Sequence, residues 1–237
     1  MKRQAEDHLK KWYQSKSGRK PLVLRGARQV GKSTLVRNFA ASMGLDLIEI
    51  NFEKHSLKTA DKSLDLDLIL PEIEYLTKKK FGSKTLLFLD EIQDSPKMIT
   101  SLRFFKEDRP DIAVIAAGSL LEFALTVEEI SIPVGRVQYY HLGPFTFSEF
   151  LEALGEQILI NILSDPEHIP SFADQALKEF YLKYLYIGGM PEVIQTYINS
   201  GQNLDQVRNV QESILQSFRE DFHKYSSRTE LSRVRKV

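Results

Sequence analysis

The chain of 237 residues contains no cysteine. That absence excludes a disulfide framework, a zinc ribbon, iron–sulfur ligation and a thiol nucleophile. Long apolar runs are missing as well. Ile112 to Ala117 is among the longest, far short of the roughly 18 residues that begin to suggest a membrane span. Neither charge sign dominates: 32 Lys+Arg stand against 32 Asp+Glu, for a formal net charge of zero. A globally basic nucleic-acid binder is therefore not indicated. The opening Met1-Lys2-Arg3-Gln4-Ala5-Glu6-Asp7 leads into no apolar stretch and does not read as a signal peptide. The five histidines have no metal-ligand spacing. Against these absences, 42% hydrophobic and 27% charged residues describe an ordinary globular chain. The expectation is a cytoplasmic protein with one large domain, or one plus a smaller one, and no membrane partner.

The first 145 residues alternate short apolar strands with helices. A helix over 4–16, with Leu9, Trp12 and Tyr13 apolar, is broken by Ser17-Gly18-Arg19-Lys20-Pro21. Strands are predicted at Leu22-Val23-Leu24, Leu47 to Phe52, Thr85 to Leu89, Ile112 to Ala117 and Val137 to Leu142. Helices are predicted over 32–43, 68–81 and 97–107, and 54–66 reads as polar and irregular. This alternation argues for a parallel sheet covered on both faces. The third and fourth strands are apolar throughout and read as central. The second and fifth carry polar residues and read as edges. Beyond residue 145 the pattern is helical only. Thr146-Phe147-Ser148-Glu149 has capping-box spacing. Leu177, Phe180, Tyr181, Tyr184 and Leu185 form one predicted face, and Leu204, Val207, Val210, Ile214, Leu215, Phe218 and Phe222 another. Leu231, Val234 and Val237 continue at helical spacing to the last residue, so the chain is expected to be part of a longer protein.

Between the first strand and the helix after it lies Gly26-Ala27-Arg28-Gln29-Val30-Gly31-Lys32-Ser33-Thr34. It fits the Walker A pattern in the strand–loop–helix context that pattern requires. The two glycines let backbone wrap closely, and amides from Val30 to Thr34 would face a phosphate from a helix N-terminus. Lys32 adds a mobile charge to the β- and γ-phosphates, and the Ser33 hydroxyl can ligate Mg2+. A second signal is the strand Leu86-Leu87-Phe88-Leu89 ending in Asp90-Glu91. In a phosphate-loop protein Asp90 would join the Mg2+ shell and Glu91 would orient the attacking water. Ser119, after the fourth strand, either reaches the γ-phosphate or water or caps the next helix. Arg136, before the fifth strand, either supplies charge to a phosphate, in its own chain or a neighbouring copy, or is a solvated loop residue. Pro191 in Gly188-Gly189-Met190-Pro191 starts a helix turn that either packs on an adenine ring or simply punctuates two helices.

Together these stretches resemble the AAA+ superfamily. They are closest to prokaryotic ATP-binding proteins in which one AAA core precedes a C-terminal domain of unknown function. Gly-Ala-Arg-Gln-Val-Gly-Lys at 26–32 and Asp-Glu-Ile-Gln at 90–93 are the family-specific strings. Gly118-Ser119-Leu120-Leu121, Pro144 to Phe150 and Gly188 to Pro191 extend the match along most of the chain. The resemblance implies an α/β, three-layer P-loop fold with strand order 5-1-4-3-2 and an all-helical lid. It implies ATP with Mg2+, Lys32 and Ser33 on phosphate and metal, Asp90 on metal, Glu91 as the catalytic carboxylate and Ser119 as a sensor. The implied organisation is a nucleotide-binding core over 1–145, a lid over 146–225, and a winged-helix segment beginning at 226–237.

The expected function is hydrolysis of Mg-ATP coupled to lid movement and to an unidentified protein client or nucleic acid, with self-assembly into a homo-oligomer allowed for. A non-hydrolytic ATP switch shares every binding residue. A P-loop kinase is disfavoured because the lid reads as aromatic and aliphatic rather than acceptor-binding. A GTPase is disfavoured by the lack of any Asn-Lys-x-Asp string. From residue 219 on, six basic residues (Arg219, Lys224, Arg228, Arg233, Arg235, Lys236) face three acidic ones (Glu220, Asp221, Glu230). That local excess is compatible with DNA contact or with a solvated helix face. Lys78-Lys79-Lys80 reads the same way.

Overall fold

The computed structural model describes residues 1–119, 135–165 and 167–225. It divides into two compact units, one of Arg3–Gly143 and one from Pro144 onward that also holds Met1–Lys2. Leu120, Leu121 and the segment 226–237, with its expected winged-helix start, lie outside the described residues.

The first unit opens with α1 (Ala5–Gln14), which buries Ala5, Leu9 and Trp12 at helical spacing. The Trp12 indole N–H donates to the Lys20 carbonyl at 2.8 Å and ties the following connection to the helix. Five strands follow: β1 (Leu22–Arg25), β2 (Asp46–Asn51), β3 (Thr85–Asp90), β4 (Ala113–Ala117) and β5 (Gln138–His141). They pair in parallel in the order β2-β3-β4-β1-β5. The sheet has the predicted order. β3 and β4 are buried at every position, and the edge strands β2 and β5 carry the exposed ones.

Parallel pairing requires crossovers. Here they carry α2 (Lys32–Ser42), α3 (Lys58–Lys62), α4 (Leu66–Thr77) and α5 (Pro96–Glu107). On one sheet face Val23, Ile48, Ile50, Leu87, Leu89 and Val114 join Ile69 and Ile73 of α4 and Met98, Leu102 and Phe105 of α5 in a single core. The alternate residues Leu22, Leu24, Leu86, Phe88 and Ile115 are also buried, and the strand period turns them to the opposite face. Leu35, Val36 and Phe39 of α2 are buried, and that helix packs on β2, β3 and β4. The result is three layers. Each such side chain contributes about 1.5–3 kcal/mol when fully buried.

Two local differences have physical causes. The helix predicted over 68–81 runs from Leu66 to Thr77. The Asp65 carboxylate accepts from the Asp67 N–H and starts it early, and Lys78, left-handed at φ 56°, ends it. The stretch expected to be irregular contains α3. Its first-turn amides, Lys58 N–H and Thr59 N–H, donate to the Glu72 carboxylate of α4 at 2.9 and 2.8 Å. Burial pushes the Glu72 pKa up, but these hydrogen bonds outweigh it and hold the group below the usual carboxylate range.

The second unit contains α6 (Phe147–Leu154), α7 (Gln157–Leu163), α8 (Ser171–Ile187), α9 (Pro191–Asn199) and α10 (Leu204–Tyr225). The capping box at its start forms as expected: the Thr146 hydroxyl accepts from Glu149 N–H, and the Glu149 carboxylate accepts from Thr146 N–H. The apolar stripe of α8 is narrower than predicted. Leu177 and Ile187 are buried, and Phe180 and Tyr184 pack against the cores, but Tyr181 and Leu185 are exposed. One helical residue turns the chain by about 100°, so each of those two lies just off the buried stripe.

Phe88 is fully buried on a central strand. Phe88→Ala is expected to destabilise the protein by about 3–5 kcal/mol, measured by urea unfolding. Leu182→Ala, at an exposed position, is expected to stay within about 0.5 kcal/mol.

Candidate functional site

The parallel register carries the C-terminal ends of β1, β2, β3 and β4 to one edge of the sheet. Asn51 stands beside Asp90, Leu89 beside Ala116, and Leu24 beside Ala117. The chain therefore leaves the sheet there at Gly26, Glu91 and Gly118, and the two strongest sequence signals become neighbours.

The 26–31 loop is built around a close backbone approach. Gly26 has φ 144°, and a Cβ at this position would lie 2.1 Å from the Leu142 carbonyl oxygen. No side chain fits. Gln29 and Gly31 are both left-handed, at φ 65° and 89°, and Gly31 opens directly into α2. The first-turn amides of Lys32, Ser33 and Thr34 have no intrahelical acceptor, which makes this helix start a ready anion site. Ala27 and Gln29 are exposed, Val30 is buried, and Arg28 pairs with Glu53 at 3.3 Å.

Lys32 is buried, and its ammonium donates to the Gly26 and Ala27 carbonyls at 3.0 Å each. Burial lowers its pKa, opposed by the nearby Glu91 and Asp90 charges. The Ser33 hydroxyl donates to Asp90 Oδ2 at 2.9 Å, and the Asn51 amide donates to the same oxygen at 3.4 Å. Asp90 Oδ1 is buried without a hydrogen-bond partner. Burial raises the Asp90 pKa, and the charges of Glu91 and Glu49 add to it; Ser33 and Asn51 oppose the shift without reversing it. Glu91 follows in a left-handed conformation, φ 50°. Ser119 donates to Glu91 Oε2 through both its N–H and its hydroxyl, at 3.2 Å each. Lys32, Ser33, Asp90, Glu91 and Ser119 thus converge.

Arg136 does not join them. It precedes β5, whose first residue Gln138 pairs with Leu22 at the far end of β1, and its guanidinium is bound to Glu107 at 2.9 Å. At about 3.3 Å per strand residue it lies roughly 15–20 Å from the loop. In this structure Arg136 is therefore not among the side chains that converge at the loop. Pro191 begins α9 in the second unit. The string before it serves close packing there. A Cβ on Gly189 would lie 2.4 Å from the Phe145 carbonyl oxygen, Phe145 N–H donates to the Gly189 carbonyl at 2.7 Å, and the Tyr184 hydroxyl donates to the Phe145 carbonyl at 2.7 Å.

An AAA domain model matches residues 18–151, more than half of the chain. The chain belongs to the AAA domain family. Its fold is similar to that of a Walker-type ATPase from Pyrococcus abyssi, with TM-score 0.57 and 16% identity over 95% of this chain and 76% of that one. Cdc6p from Pyrobaculum aerophilum aligns at 14% identity and TM-score 0.42 over 66% of this chain and 50% of that one. No curated protein matches the sequence. This AAA domain is thus a member of the ATP-binding P-loop ATPase superfamily. Among its described residues no helix is long and apolar enough to cross a membrane.

The residues of the AAA site fit a divalent cation. Asp90 Oδ1 is an unsatisfied buried oxygen beside the Ser33 hydroxyl, and hard cations take such oxygen ligands. Among the described residues no three His, Cys, Asp or Glu gather as a metal cage.

Three residues at the site were not picked out from sequence. Asn51 reaches Asp90 through strand register. Gln93 donates to Glu91 Oε2 at 2.7 Å. Arg3 donates to the carbonyls of Val30 at 3.0 Å and Gly143 at 2.7 Å. Gln93 had a signal in the Asp-Glu-Ile-Gln string. Arg3 had none, because its partners are 27 and 140 residues away.

Because the Asp90 pKa is raised, its ionised form costs stability in the ligand-free protein. That cost is absent below the unfolded carboxylate pKa, about 4, and is complete once pH passes the folded value. Asp90→Asn keeps an acceptor for Ser33. It is expected to raise the ligand-free Tm at pH 7, by about 2–4 °C per kcal/mol relieved. The gain should shrink as pH falls toward 4, and the variant should lose the extra stabilisation that Mg2+ adds to nucleotide. Thermal melts across pH check all three.

Proposed function

We propose that this AAA domain hydrolyses Mg-ATP to ADP and phosphate and couples that step to movement of its helical second unit and to a partner. The observation that carries the reading is the unsatisfied buried Asp90 oxygen next to Ser33, within one cluster with Lys32 and Glu91. A structural carboxylate would have its hydrogen bonds completed.

In this reading the 26–34 loop amides and Lys32 hold the β- and γ-phosphates. The Lys32 ammonium exchanges its two loop carbonyls for phosphate oxygens, and its positive charge offsets charge developing on the leaving oxygen. Ser33 and Asp90 would hold Mg2+, whose positive charge would offset that of the phosphates. Glu91 accepts a proton from water as the water oxygen bonds to the γ-phosphorus and the bond to the β,γ-bridging oxygen breaks. Ser119 donates to the γ-phosphate or the water. Pro191 is assigned to the adenine side. Arg136 is assigned to charge on a phosphate, in its own chain or in a neighbouring copy. The partner, protein or nucleic acid, is assigned no residues.

The test is phosphate release from Mg-ATP over a range of protein concentrations, with Lys32→Ala as the blank. Turnover above the blank is expected. Specific activity that rises with concentration supports assembly. Glu91→Gln is expected to bind nucleotide normally and to lose about 10²-fold or more in turnover. Parental turnover in Glu91→Gln removes its assigned role. Tight binding with no turnover in the parent replaces hydrolysis by the non-hydrolytic switch.

A further inference from the structure

We propose that Gln93 is a positioning residue that fixes one oxygen of Glu91 and so aims the other at the attacking water. The proposal rests on the reading of Glu91 as the base.

The local chain makes the arrangement. β3 ends at Asp90, Glu91 turns left-handed, and a short 3-10 turn over Ile92–Asp94 follows. Ile92 is fully buried and anchors that turn in the core beneath the sheet. The turn folds the Gln93 side chain back toward Glu91, two residues earlier, where its amide donates to Oε2 at 2.7 Å. This is the shortest of three hydrogen bonds to that oxygen, the others coming from Ser119 N–H and Oγ at 3.2 Å. Glu91 Oε1 takes no hydrogen bond among the described residues. Three donors saturate one oxygen, restrain rotation of the carboxylate and leave the lone pairs of the other available for a proton. A base held this way needs no reorganisation when water arrives.

Gln93 gives up something to do this. Its side chain is 8% exposed, and its own carbonyl oxygen is buried without a partner. An apolar side chain of the same length would fill the space without leaving that oxygen unsatisfied. Packing alone therefore favours methionine here, and the amide is explained by what its N–H group holds. Ser119 cannot fill the place alone. In the hydrolytic reading its hydroxyl is shared with phosphate or water, which leaves Gln93 as the side-chain donor committed to Glu91.

The experiment compares the parent with Gln93→Met, which keeps length and loses the donor. It has two readouts. In Mg-ATP turnover, kcat is expected to fall about 10- to 100-fold. The Kd for Mg·ATPγS by calorimetry should stay within about twofold. In the nucleotide-free protein, hydrogen exchange at the Ser119 amide is expected to accelerate as its carboxylate acceptor loosens, with the β4 amides unchanged. An unchanged or raised kcat overturns the proposal, as does a loss that appears only in KM. Parental protein without turnover defeats the hydrolytic reading instead. In that case the exchange result decides the contact by itself: faster Ser119 exchange supports the restraint, and unchanged exchange overturns it.

Discussion

The backbone contact between Gly26 and the Leu142 carbonyl is the constraint on which the site depends. It presses the first residue after β1 against the chain leaving β5, closer than any side chain would permit. The loop then reaches α2 through left-handed Gln29 and Gly31, where the first-turn amides have no intrahelical acceptor. Arg3 reinforces it from outside the loop by binding the Val30 and Gly143 carbonyls together. A guanidinium with several fixed donors satisfies both carbonyls at once.

What the loop encloses works against stability. Lys32, Asp90 and Glu91 are drawn together at a sheet edge where β3 is completely buried. Burial disfavours the charged form of both Lys32 and Asp90, lowering the first pKa and raising the second. Buried oxygens on Asn51, Asp90 and Gln93 remain without partners. Native interiors rarely tolerate several such groups so near one another. The apolar layers on both faces of the sheet supply the surplus that holds them in place.

Much of the fold was legible because its signals are local. The continuous apolar runs at 85–89 and 112–117 marked central strands, and mixed polarity marked β2 and β5 as edges. The Thr146 capping box lies within four residues and formed as read. The misread parts involve distant partners or small angular differences. α3 is capped by Glu72 from another helix, so its own stretch carries no start signal. Lys78 ends α4 by a left-handed turn that lysine rarely adopts. Tyr181 and Leu185 have the right chemistry for the core but lie just off the buried stripe of α8.

The amino-acid sequence by itself determined the loop chemistry, the acidic end of β3 and the alternation that yields a parallel sheet, because each is written in residues close together along the chain. Tertiary structure alone decided which side chains meet. It set Asn51 beside Asp90 through strand register and brought Ser119 to Glu91 from the neighbouring strand. It also put Arg136 at the opposite end of the sheet from the loop. The physical reason is geometric: in a parallel sheet, position along the strand and order across the sheet fix the neighbours of every residue at an edge, and neither is encoded by residues adjacent in sequence.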